Sequence, residues 1–233
     1  MINSPHSEHQ IKSVTNFKEL LSIPFQGNVN ALCWTRELKG DFSEIVKKVA
    51  LSGNMIELLP EELLDLQLSK QGQIAREILL NDYKTLQNNG KSPTLNIIKN
   101  YERDDAFPFF PTDVYSFHVD RSPIPADTFL CTYHGASSAI LSNSQGTQKI
   151  LIPEIRAELK KLYGEESEAG FESFLSEFFF DLHYQAKPNA QPINLGVGHL
   201  WKLAIDHPES KVLPCLHRAP EEKNGEHRLM MIC

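Results

Sequence analysis

Apolar residues in the first third of the chain recur mostly at helical spacing. Asp41-Phe42-Ser43-Glu44 has the form of a helix start, Ile45, Val46 and Val49 supply an apolar stripe, and Gly53 offers a stop. Pro60 suits a first helical turn, and the leucine-rich stretch to Leu86 predicts two helices or one bent helix ending before Gly90. From Ser92 the pattern changes to strands: Thr94 to Ile98, Val114 to Asp120 and Thr128 to Tyr133, with a proline-rich turn around Phe107 to Pro111. Helices return at Pro153 to Tyr163 and Phe171 to Tyr184. Strands then finish the chain at Ile193 to Val197, His199 to Ala204, Val212 to Leu216 and Arg228 to Ile232.

This order predicts a flexible N-terminus over 1-13, a helical region over 14-91 packing on a core, and a β core over 92-233 interrupted by a helical insertion at about 153-185. No internal repeat or low-complexity linker divides the chain. In the second insertion helix, Phe171, Phe174, Leu175, Phe178 and Leu182 form one apolar face. Core packing explains that face, and Phe179 and Phe180 widen it enough to leave a lid or a partner surface open.

Composition changes this picture little. With 233 residues, 41% of them apolar and 23% charged, the chain reads as an ordinary globular protein. The formal net charge of -7 and the absence of a basic stretch with interleaved aromatics argue against a nucleic-acid or anionic-membrane partner. Four scattered cysteines, no signal-like start and no long apolar run point to a reducing, cytoplasmic setting. A small molecule or a protein is then the expected partner.

Candidate chemistry centres on His118 and Asp120. Residues two apart on a strand share a face, so both can reach one ion while Val119 points away. A third ligand, His217, and a basic residue, Arg228, follow near the end of the chain. Two histidines and one carboxylate leave adjacent coordination positions open on Fe(II) for a bidentate cosubstrate and dioxygen. Alternation also predicts that an inward Arg228 brings Met230 and Ile232 inward and turns His227 outward. Cys131, Cys215 and His217 form a competing zinc set. His207-Pro208-Glu209 and His6-Ser7-Glu8 repeat the His-x-acid spacing outside predicted strands, and no phosphate loop or nucleophile elbow occurs.

The motif His118-Val119-Asp120, a distant His217 and, with ten residues between, Arg228 resembles the Fe(II)/2-oxoglutarate-dependent dioxygenases. More narrowly, His118-Val119-Asp120, Leu130-Cys131-Thr132-Tyr133 and His217-Arg218-Ala219-Pro220 resemble a bacterial family described as domain of unknown function 1826. The resemblance covers roughly residues 110 to 233. It implies an α+β protein with a double-stranded β-helix (jelly-roll, cupin-like) core. It also implies Fe(II) held by His118, Asp120 and His217, and 2-oxoglutarate as cosubstrate, its distal carboxylate bound by Arg228 with a second hydrogen bond from Tyr133. The implied function is an oxygenase that hydroxylates or otherwise oxidises its substrate. A non-enzymatic metal-binding or metal-sensing protein using the same three ligands is the alternative, and a catalytically silent interaction module is a third.

Overall fold

A computed structural model describes residues 10–104, 106–164, 167–221 and 225–233. The chain is mixed α+β, with two sheets rich in antiparallel pairing. In chain order its strands are β1 (Ile11–Val14), β2 (Ala31–Trp34), β3 (Met55–Glu57), β4 (Thr94–Ile98), β5 (Phe117–His118), β6 (Asp127–His134), β7 (Ala139–Leu141), β8 (Gly146–Gln148), β9 (His183–Ala186), β10 (Ile193–Asn194), β11 (Leu200–Ala204), β12 (Leu216–Arg218) and β13 (Arg228–Ile232). The α-helices are α1 (Phe17–Ser22), α2 (Phe42–Lys48), α3 (Pro60–Asp65), α4 (Lys70–Asn88), α5 (Pro153–Tyr163) and α6 (Glu168–Glu177).

Seven strands form the large sheet in the order β1-β2-β11-β6-β13-β4-β3, and six form the small one in the order β10-β7-β12-β5-β9-β8. The large sheet is buried on both sides. One face packs Phe129, Cys131, Tyr133 and Leu229 against Ile45, Leu79 and other helical residues. The opposite face packs Leu130, Trp201 and Met230 with Ile140 and Cys215 from the small-sheet side.

Local chemistry sets the helix starts. Asn16, Asp41, Ser69 and Ser167 each accept a hydrogen bond from a backbone N–H of the first turn, satisfying a donor that has no partner within the helix. Glu44 does not close a reciprocal box at Asp41. Its carboxylate instead accepts from the N–H and hydroxyl of Ser69, tying α2 to the start of α4.

The structure corrects several sequence expectations. Residues 11–13, expected to be loose, lie in β1, which pairs in parallel with β2; positions 1–9, including His6 and Glu8, lie outside the described residues. The 14-91 region is not purely helical, because it supplies β2 and β3 to the large sheet. The helix expected from Phe171 to Tyr184 ends at Glu177; Phe179 then takes a left-handed conformation at φ 59°, and the chain passes through a short 3-10 turn into β9. The strand expected at Val212 to Leu216 begins only at Leu216. Phe171 and Phe180 of the insertion form a small separate core with Phe110 from the proline-rich turn. Among the described residues no helix is long and apolar enough to cross a membrane.

Candidate metal centre

His118 on β5 and His217 on β12 are direct cross-strand partners, with ring centroids 4.4 Å apart. Asp120 follows two residues after His118 on the same side, its backbone carbonyl held by the Asp206 N–H at 2.8 Å. One ligating atom from each of the three lies within 4.8 Å of the others. This is the one such group of three or more among the described residues. His217 Nε2 stands 3.6 Å from Asp120 Oδ1, close to the roughly 3 to 3.5 Å between neighbouring donors that each lie about 2.1 Å from a first-row ion.

Hydrogen bonds around the three residues prepare the same atoms. His118 Nδ1 lies 2.8 Å from the Ser116 carbonyl and His217 Nδ1 lies 3.2 Å from the Cys215 carbonyl. A carbonyl only accepts, so each Nδ1 donates to it and Nε2 is the nitrogen directed to an ion. Thr128 donates its hydroxyl to Asp120 Oδ2, which leaves Oδ1 toward His217. Burial, reinforced by His217, pushes the His118 pKa down to about 4, which favours the neutral, ligating form. Burial opposes ionisation of Asp120, yet His217, Thr128 and His118 together hold its pKa below the ordinary value. The donor set of two imidazoles and one carboxylate fits a divalent first-row ion.

The three residues open onto a cavity of about 340 Å³ between the sheets. Its walls are largely apolar, with Ile98, Val114, Leu130 and Met230 among them, and Tyr101 and Ser138 add hydroxyls. Arg228 lies behind those two hydroxyls. Its guanidinium donates to the Ala136 carbonyl at 2.7 Å, the Tyr101 hydroxyl at 3.3 Å and the Ser138 hydroxyl at 3.2 Å. Met230 and Ile232 line the cavity, as alternation from Arg228 predicts, although a bulge interrupts pairing with β6 between Leu229 and Met230.

Tyr133 is not part of this cavity. On β6, Thr128 and Leu130 face the cavity, whereas Phe129, Cys131 and Tyr133 face the helices. The Tyr133 ring stacks on Phe42 at 5.5 Å, and its hydroxyl donates to Asp82 at 2.8 Å. Asp82 also pairs with both terminal nitrogens of Arg36, at 2.8 Å and 2.7 Å. The alternative zinc set fails for the same reason, since Cys131 lies on the helical face of the sheet, in contact with Arg36. Arg218 points away from the cavity, over the Phe117 ring at 4.6 Å. His207 receives the Glu209 N–H at 3.2 Å within its own turn.

Thr128, Tyr101, Ser138 and His183 were not singled out from the sequence. No family model, no curated protein and no solved structure matches this chain. The family resemblance therefore rests on its motif residues alone.

Proposed function

We propose that the protein is a non-haem Fe(II)/2-oxoglutarate-dependent oxygenase with a double-stranded β-helix core. The observation that carries this reading is the convergence of His118, Asp120 and His217, with each Nδ1 engaged by a backbone carbonyl and a cavity on the open side. Two antiparallel-rich sheets, with His118 and His217 on the small one and Asp120 just beyond the end of β5, are in keeping with the jelly-roll architecture.

His118, Asp120 and His217 would hold the ion, and Thr128 would fix the carboxylate. Tyr101 and Ser138, backed by Arg228, would receive the distal carboxylate of the cosubstrate, so Tyr101 takes the part that Tyr133 cannot reach. Ile98, Leu130 and Met230 keep water from the reacting groups. The chemistry supplied by the bound ion is oxidative decarboxylation of 2-oxoglutarate by dioxygen to succinate and carbon dioxide, the second oxygen atom passing to the substrate.

The test is succinate production from 2-oxoglutarate by Fe(II)-loaded protein. Wild-type turnover that is lost in His118→Ala and Asp120→Ala supports the assignment, and undiminished turnover in either variant sinks it. One observation favours the non-enzymatic metal-binding reading: the Arg228 guanidinium is already engaged by three protein groups. Tight metal binding without 2-oxoglutarate affinity, unaffected by Arg228→Ala, would establish that alternative.

A further inference from the structure

A third histidine stands in the row that holds two of the ligands. His217 on β12 pairs with His118 on β5, and His118 pairs in turn with His183 on β9. Directly opposed residues on neighbouring strands lie on one face, so the three imidazoles stand side by side. The ring centroids of His118 and His183 are 5.9 Å apart.

His183 differs from the other two in its hydrogen bonding. The residue is only 5% exposed, and its Nδ1 is buried without a partner among the described residues. Buried imidazole nitrogens are normally satisfied by protein or water, and an exception calls for a ligand. The surrounding groups are committed elsewhere. Lys149 directs its ammonium to the Pro111 carbonyl and the Ser116 hydroxyl, Asp104 accepts from Thr112 and Ala106, and Phe110 presents only a ring.

We propose that His183 belongs to the metal centre as a hydrogen-bonding residue for a water molecule or small anion bound to the ion on the β9 side of His118. This inference rests on the metal-centre reading given above. The strand order β12-β5-β9 puts His217 and His183 on opposite sides of His118. A neutral imidazole offers one N–H and one lone pair, and its ring torsion is broad and two-fold, so a half-turn brings a nitrogen to either edge. His183 is therefore a positioning residue and not a fourth ligand, because it does not join the three residues whose ligating atoms converge.

Azide titration of the full chain loaded with Co(II), followed by visible absorption, tests this directly. His183→Phe keeps the ring and removes both nitrogens, while His183→Gln keeps a donor. Azide affinity is expected to fall about tenfold in His183→Phe and to recover in His183→Gln, the size of one charge-assisted hydrogen bond. Co(II) affinity, measured by chelator competition, should stay within about twofold in both variants, since the ligands are untouched. His183→Leu gives the same comparison if the larger ring prevents folding. Equal azide affinity in wild type and His183→Phe, or no azide response from the wild-type cobalt protein, overturns the proposal. Loss of Co(II) binding in His183→Phe also overturns it, by making His183 a ligand. A wild-type chain that takes up no Co(II) removes the metal centre itself and this inference with it.

Discussion

The Thr128 hydroxyl donates to Asp120 Oδ2 at 2.5 Å, turning the other carboxylate oxygen toward His217. Removing such a partner typically weakens metal affinity by about 10- to 100-fold. Thr128→Val, nearly the same shape, should show that loss in chelator competition while its melting temperature without metal changes little. Thr128→Ser should restore binding. Full affinity in the valine variant would mean that Asp120 needs no such support.

An ion that binds only the folded chain stabilises it in proportion to its occupancy. At about one hundred times the dissociation constant the gain is about 2.7 kcal/mol. Thermal unfolding of the metal-free protein should therefore shift upward with added Co(II) or Fe(II), reverse with a chelator, and show no shift in His217→Ala. A shift of equal size in that variant would place the ion elsewhere.

Acid should destabilise the metal-free protein from near-neutral pH downward. Burial, with His217, lowers the His118 pKa from 6.5 to about 4, and burial, with His118 and Lys149, lowers that of His183 from 6.5 to about 3. Below about pH 6.5 the unfolded chain therefore binds protons that the folded chain refuses. This contribution to stability is complete above the unfolded value and declines as pH falls toward the folded values, by up to about 1.4 kcal/mol per pH unit for each histidine. Urea unfolding between pH 7.5 and pH 4 should show a shallower decline in His183→Phe than in wild type, and parallel curves would contradict the assignment.

Substitutions at the Arg36–Asp82–Tyr133 cluster should separate stability from metal binding. Both charged side chains of the Arg36–Asp82 pair are buried, and Asp82→Ala strands the guanidinium, a loss of about 3 to 5 kcal/mol. Tyr133→Phe removes one hydrogen bond and should cost about 1 kcal/mol. Neither change should alter Co(II) or 2-oxoglutarate affinity, because the cluster lies on the helical side of the large sheet. A marked fall in 2-oxoglutarate affinity in Tyr133→Phe would return that residue to the cavity.

Alternation in the sequence was sufficient to place His118 with Asp120, and Arg228 with Met230 and Ile232, because each set includes residues of contrasting chemistry. It failed at Tyr133 for a physical reason. Six consecutive residues of β6, Thr128 to Tyr133, are buried, since helices cover one face and the small sheet the other. A strand covered on both faces has no polar side to reveal which face meets the ion. His183 escaped notice because the apolar spacing from Phe171 runs past Glu177 without glycine or proline, while the helix ends through the left-handed Phe179. That ending depends on packing of Phe180 against Phe110 and Phe107, contacts distant in sequence.

β5 and β12 are strands of two and three residues, and His118 and His217 face one another across their pairing. So short a ladder holds its alignment weakly, and a slip by one residue would turn one histidine to the outer face. An ion bound by both side chains would clasp the two strands in a single alignment. Loading and correct pairing then become one event: a misaligned chain offers no site, and a loaded chain cannot slide.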